Sequence, residues 1–191
     1  MVRLLGERVR GGLAITAVPT SESTRALAEH EGIALVALDD VDAVDLTIDG
    51  ADEIDPSLSL VKGGGAALLH EKIVWSASRR CVVVADSAKL VARLGAFPLA
   101  VEVIRLGWRH AARRLEALGA TVARREVEGA PRLTEEENYI LDCRFGAIDD
   151  PARLAASIDA ITGVVEHGLF VGMATEAIVG EGETARVIRR A

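Results

Sequence analysis

Residues 44–72 read VDLTIDGADEIDPSLSLVKGGGAALLHEK, and how this run divides decides the fold. Its opening, VDLTID (44–49), is apolar, β-branched and ends on a carboxylate, which predicts a strand. GADEIDPSLSL forms a connection, and the glycines at 63–65 lead into a predicted helix from about residue 66 to 77. Upstream lie two similar strands, LAITAV (13–18) and IALVAL (33–38), and downstream lies CVVVAD (81–86). Ser21 fits the N-cap of a helix that runs to about His30 and stops at Gly32. Continuous apolar strands joined through helices predict a mostly parallel sheet covered on both faces, a Rossmann-like α/β unit. In such a sheet the loops at the C-terminal ends of the strands form the ligand crevice. That places the acidic loop after Asp49 beside the glycine loop after Lys62.

The pattern changes after Pro98. AVEVI (100–104) predicts a strand, residues 108–119 a helix, and TVARREV (121–127) and NYILDC (138–143) two more strands. A helix over 151–161 and the run GVVEHGLF (163–170) complete βαββαβ order, the signature of a ferredoxin-like α+β unit. The division is therefore expected at 1–98 plus 171–191 for the Rossmann-like unit and 99–170 for the smaller one. The tail reads as a hairpin returning to the first unit. SAKLVARLG (87–95) is expected as a short helix, and Val2 to Arg10 as a helix closed by Gly11 and Gly12.

Composition narrows the functional classes. The chain has 191 residues, 50% hydrophobic and 27% charged, enough for a packed aliphatic core. Aromatics make up only 3%, too few for base-stacking platforms. A net charge of −7 with no basic stripe argues against nucleic acid and anionic membrane surfaces as partners. No apolar run is long enough to cross a membrane, and no signal-peptide core opens the chain, so a cytoplasmic location is expected. Cys81 and Cys143 lie far apart with no CxxC spacing, which predicts reduced, buried thiols.

Among the 22 basic residues only Lys62, Lys72 and Lys89 are lysines. Lys62 with Gly63, Gly64 and Gly65 offers a compact ammonium, bare backbone N–H groups and a helix N-terminus, a cradle for a developing oxyanion. A flexible turn carrying a surface lysine is the plain alternative. The motif is not GxxxxGK[ST], so a nucleotide site is not indicated. Asp49, Gly50, Ala51 and Asp52 place carboxylates at a strand's C-terminal end; the alternatives are a solvated turn or a divalent-cation site, the latter without a supporting carboxylate cluster. Glu71 lies in the second turn of the following helix among apolar neighbours. If it faces the crevice, desolvation raises its pKa towards neutrality, as a general base requires; the plain alternative is an exposed Glu beside Lys72. Lys89, after CVVVAD, is placed to meet a phosphate or sugar hydroxyl, with an ordinary surface lysine as the alternative. His70 has no partner at ligand spacing, and Lys72 is expected to face away from Glu71.

In order along nearly the whole chain, VPTSEST (18–24), DLTIDGADEID (45–55), VKGGGAALLHEKIV (61–74), ADSAKLVARLGAFPLAVEV (85–103), the turn 134–138 followed by YILD, and GVVEHGLF resemble the type A ribose-5-phosphate isomerase family. The resemblance implies interconversion of ribose 5-phosphate and ribulose 5-phosphate with no metal or cofactor, in a homo-oligomer, commonly a dimer. It implies that Glu71 is the base, that Asp49 and Asp52 open the ring and bind hydroxyls, that Lys62 and Gly63–Gly65 stabilise the enediolate oxygen, and that Lys89 binds substrate.

The family's TDNGN turn reads TEEEN here. Its opening strand and GTGST-like phosphate turn have no counterpart, since residue 1 matches the helix that follows them. A chain starting at Met1 is thus expected to show weakened substrate binding or inactivity, and a raw sheet edge. The competing reading is a non-catalytic sugar-phosphate-binding protein of the same fold. A dehydrogenase is disfavoured because GxGxxG is absent.

Overall fold

The computed structural model describes residues 1–190. From the N-terminus, helix α1 (Val2–Arg10) is closed at Gly11 and Gly12, and β1 (Thr16–Ala17) follows. Ser21 caps α2 (Glu22–His30), its hydroxyl accepting from the Thr24 N–H at 3.1 Å, and β2 (Ala34–Leu35) comes next. The stretch read first in the sequence becomes β3 (Thr47–Asp49), β4 (Glu53–Ile54), β5 (Leu60–Val61) and α3 (Leu68–Ser76). After β6 (Cys81–Asp86) the chain passes to β7 (Leu99–Val103), α4 (Trp108–Ala117) and β8 (Thr121–Arg124). A small hairpin, β9 (Glu126–Val127) and β10 (Ala130–Pro131), precedes β11 (Tyr139–Arg144) and α5 (Pro151–Asp159). The chain ends in β12 (Val164–His167), β13 (Leu169–Phe170), β14 (Glu176–Glu181) and β15 (Thr184–Arg189).

The βαββαβ segment forms a four-stranded antiparallel sheet in the order β12-β7-β11-β8, with the two edge strands last and second in sequence, as a ferredoxin-like unit requires. The parallel strands divide into two groups: β1 pairs with β2, while β3, β6 and β14 run parallel in a second sheet that the β14–β15 hairpin completes. A further, three-stranded antiparallel sheet has the order β13-β5-β4.

Two large apolar cores and a small one of Ala66, Leu68, Ala100 and Ile140 fix these sheets. Val101, Val103, Leu115, Leu141 and Ile158 pack between the four-stranded sheet and helices α4 and α5, and Val61 and Leu94 join them. Ile54, Leu60, Trp75, Val83, Phe170 and Val179 form the second, where the Trp75 and Phe170 rings meet edge to face at 5.4 Å. Full burial of each large side chain stabilises by about 1.5–3 kcal/mol. Cys81 and Cys143 are unpaired and buried, and burial pushes the Cys143 thiol up to about 12.

Three local expectations are corrected. Residues 87–95 form one 3-10 turn (Ser87–Lys89), not a helix. The Asp86 carboxylate closes that turn by accepting from the Ala88 N–H at 2.8 Å. Val91 then donates to the Ile54 carbonyl at 2.9 Å, and the buried Glu53 carboxylate accepts from the Gly95 and Phe97 N–H groups at 2.6 Å each. Tertiary partners for the backbone override helix propensity here. The run 121–127 breaks at Arg125, and the run 163–170 breaks at Gly168, so that its two halves join different sheets.

Candidate active site

Lys62 follows β5, and its ammonium, at the end of a side chain only 4% exposed, is the centre of the site. Nζ donates to Asp49 Oδ2 at 2.9 Å and to the Gly50 carbonyl at 2.6 Å, and lies 3.1 Å from Glu71 Oε2. It also sits 5.7 Å from the Trp75 ring and 5.5 Å from the Phe170 ring. A buried cation is tolerable only with such partners. Asp49 reaches it because the acidic loop begins in a tight turn, Asp49 Oδ1 accepting from the Gly50 N–H at 2.7 Å. Ala51 packs against the core beside Ile54 and Leu60, and the Asp52 N–H donates to the Val61 carbonyl at 2.8 Å, folding the acidic loop back on β5.

Glu71 comes to the same point from α3. Its side chain is 15% exposed, and its Oε2 faces Lys62 at ion-pair distance without hydrogen-bond geometry, leaving that oxygen buried with no hydrogen-bond partner. Burial holds its pKa above the ordinary 4.5, and the nearby carboxylates of Asp49 and Asp52 act the same way, while Lys62 pulls it back. A base raised by desolvation yet kept ionisable by one ammonium is suited to accept a proton and release it again.

The glycine loop is built to carry backbone close to this pair. Gly63 has φ +103°, and a Cβ there would lie 2.8 Å from the Ala100 side chain and 3.0 Å from Leu68. The Gly64 N–H donates to Asp52 Oδ2 at 2.9 Å, joining the glycine loop to the acidic loop. Gly65 has open space in front of it, and Ala66 takes the left-handed conformation at φ +67° to enter α3. Strain of this kind collects at functional loops. A cleft of about 170 Å³ borders the loop, lined by Gly65, Ala66, Ser21, Ser23, Arg132 and Thr134.

Asp49, Gly50 and Glu71 thus meet at Lys62, and Asp52 meets Gly64 two residues on. Lys89 does not join them: it lies half-buried in the turn after β6, with no hydrogen bond or ion pair among the described residues. β6 pairs with β3 in parallel, so this turn leaves the same sheet end as the acidic loop. His70 is half-buried and meets Glu135 at 3.5 Å and Glu136 at 2.8 Å.

Lys72 has structural work. Its Nζ donates to Glu166 Oε1 and to the His167 carbonyl, both at 2.6 Å, and lies 4.9 Å from the Phe170 ring, tying α3 to the end of β12. Asp159, Glu166 and His167 bring their ligand atoms within 4.8 Å of one another, but the Lys72 ammonium supplies the cation among them. His167 is held neutral, its pKa depressed to about 3 by burial and by Lys72. Gly168 follows, accepting from the Lys62 N–H and donating to the Ala100 carbonyl, both at 2.8 Å; a Cβ there would lie 2.1 Å from the Lys62 carbonyl oxygen. Sequence reasoning missed Gly168, although a glycine inside a strand pattern signals close backbone approach. Arg125 was also missed; it donates to the Gly63 and Gly64 carbonyls, and no local pattern separates it from the other arginines.

Comparison with known proteins places this geometry. The family model described as Ribose 5-phosphate isomerase A (phosphoriboisomerase A) matches residues 16–184. The chain is 56% identical to the Ribose-5-phosphate isomerase A of Methylorubrum extorquens, over 97% of this chain and 83% of that one. It is 50% identical to that of Nitrobacter hamburgensis, over 99% and 84%. The solved ribose 5-phosphate isomerase A of Methanocaldococcus jannaschii superposes with a TM-score of 0.94 at 37% identity, over 98% of this chain and 84% of that one. A D-ribose-5-phosphate isomerase in complex with phospho-erythronic acid superposes with a TM-score of 0.96 at 38% identity, over 99% and 85%. The chain belongs to the ribose 5-phosphate isomerase A family.

Proposed function

We propose that the protein interconverts D-ribose 5-phosphate and D-ribulose 5-phosphate through an enediolate, using its own side chains and no cofactor. The observation that carries this reading is the convergence of Glu71, Asp49 and Lys62 at one buried point. Aldose–ketose isomerisation needs a poised base beside the C2 proton and fixed positive charge where the oxyanion forms. In the open-chain aldose the Glu71 carboxylate takes the C2 proton, and the carbon–hydrogen electron pair forms the C1–C2 double bond while O1 gains negative charge. Lys62 and the Gly65 N–H face that oxygen, while the Gly64 N–H is held by Asp52. Glu71 then returns the proton to C1, and the O2 hydroxyl proton passes to O1, so that the ketose holds the same atoms as the aldose. Asp49 and Asp52 handle ring opening and hydroxyl recognition, and Lys89 meets the substrate at the end of β6. The phospho-erythronic acid complex of a relative supports the class of substrate, since its ligand is a phosphorylated sugar acid.

Residues 1–98 with 171–191 act in this reading as the Rossmann-like catalytic unit and 99–170 as the ferredoxin-like unit. The reaction belongs to the non-oxidative pentose phosphate pathway. A cytoplasmic homodimer is the working form; among the described residues no helix is long and apolar enough to cross a membrane, and Leu106, 87% exposed, leaves apolar surface on the second unit.

The test is ketose formation from ribose 5-phosphate by the protein and by Glu71→Gln. The substitution keeps the shape and removes the base, and kcat should fall by about 10²–10⁴-fold. Undiminished turnover by the variant would remove Glu71 from the mechanism.

A further inference from the structure

We infer that Arg125, oriented by Asp142, is a positioning residue that aims the N–H groups of the glycine loop. Arg125 stands where β8 gives way to β9, with its backbone fixed on both sides: its N–H donates to the Ile140 carbonyl at 2.8 Å, and its own carbonyl accepts from the Arg132 N–H at 2.9 Å. Its side chain is only 14% exposed. Nη1 donates to the Gly63 carbonyl at 2.8 Å and to the Gly64 carbonyl at 3.1 Å. The other side of the guanidinium is held by Asp142 on β11, with Nε 3.2 and 3.1 Å from the two carboxylate oxygens and Nη2 in a short bond to Oδ1.

The consequence follows from the planarity of the peptide. In a trans peptide the carbonyl of one residue and the N–H of the next point in opposite directions. Fixing the Gly63 carbonyl on Arg125 therefore turns the Gly64 N–H to the far side, where Asp52 Oδ2 accepts it at 2.9 Å. Fixing the Gly64 carbonyl likewise turns the Gly65 N–H away from Arg125. That N–H makes no hydrogen bond among the described residues, and the space before Gly65 is open. Glycines have the widest choice of backbone conformation, so three in a row cannot hold such an orientation unaided. One guanidinium with a fixed fork of donors can hold two carbonyls at once, which an ammonium on a flexible stem does less well. Arg125 touches no reacting atom; it acts through the glycines, and it does so from the opposite unit of the chain.

This inference rests on the isomerase reading for its kinetic test and has a second readout that does not. Arg125→Met, Arg125→Lys and Asp142→Asn are compared with the parent for kcat and KM on ribose 5-phosphate, and for hydrogen exchange at the Gly64 amide and at Val83 in β6. Arg125→Met should lower kcat by about 10- to 100-fold, the scale of a misplacement near 1 Å, and leave KM within about threefold. Gly64 exchange should rise by about tenfold while Val83 is unchanged. Arg125→Lys should recover only part of the loss, and Asp142→Asn should show a smaller loss of the same kind. The acid limb of the pH profile should stay in place, because Glu71 keeps its surroundings. An unchanged kcat, a rise in KM alone, or a fall in kcat without faster Gly64 exchange would each overturn the inference. So would equal acceleration at Gly64 and Val83, which marks general loosening. If Arg125→Met does not fold, Arg125→Lys and Asp142→Asn decide by the same criteria. Failure of the isomerase reading looks different: the parent itself shows no turnover, and Gly64 exchange then decides alone.

Discussion

Glu71 and Lys62 carry opposite demands at a separation of 3.1 Å. Desolvation by the surrounding protein raises the Glu71 pKa, and the Lys62 ammonium counters it. The base form is the carboxylate, so activity should fall as pH drops through the Glu71 pKa, at a value above the ordinary 4.5. Removing the ammonium in Lys62→Met takes away the opposing influence, and the acid limb of kcat/KM should move to higher pH. Asp49→Asn removes a neighbouring negative charge that raises the Glu71 pKa, and the limb should move to lower pH. Both variants should also lose turnover, by about 10²–10³-fold for Lys62→Met if it stabilises the oxyanion. pH–rate profiles of the residual activity check the directions, and a limb that moves the same way in both variants would contradict this electrostatic picture. Part of the pair was legible in the sequence, because a glycine-flanked lysine and an acid-ended strand each point to a crevice. Their meeting was not, since it depends on how β5 and β3 fold onto one another.

At the scale of elements, the segment at the end of β12 does more than pair strands. Gly168 divides β12 from β13, receives the Lys62 N–H and lies too close to the Lys62 carbonyl to carry a side chain. Lys72, one residue after Glu71, grips the His167 carbonyl just before it. Glu71 on α3 and Lys62 after β5 are therefore registered against the same short piece of backbone. Gly168→Ala should destabilise the protein by about 1–3 kcal/mol or more, since backbone rather than a flexible side chain must move. Urea unfolding measures this directly; a change below about 0.5 kcal/mol would show that the contact relaxes freely. The βαββαβ order was readable from strand and helix periodicity alone. The break at Gly168, the loss of the helix over 87–95 and the turn at Arg125 were not, because each is set by backbone partners distant in sequence or in the next hairpin: Lys62 and Ala100, Glu53 and Ile54, and Ile140 and Arg132.

For the molecule as a whole, the net charge of −7 runs against an anionic substrate. The site sets against it one buried ammonium, paired with Asp49 and Glu71, and holds the glycine loop in place through Arg125. Residues far apart in sequence, from Asp49 to Gly168, meet around β5. Periodicity gives the βαββαβ order but not the contacts that build the site. The central claim is that Glu71 moves a proton between C2 and C1 of the sugar while Lys62 holds the oxygen. The most direct measurement is turnover in deuterated water, reading isotope at C1 of the ribulose 5-phosphate formed by the protein and by Glu71→Gln. Proton transfer through an exchangeable carboxylate should place solvent deuterium at C1 in the parent, with both turnover and label lost in the variant. Ketose formed by the parent with no solvent deuterium at C1, or labelled equally fast by Glu71→Gln, would contradict it.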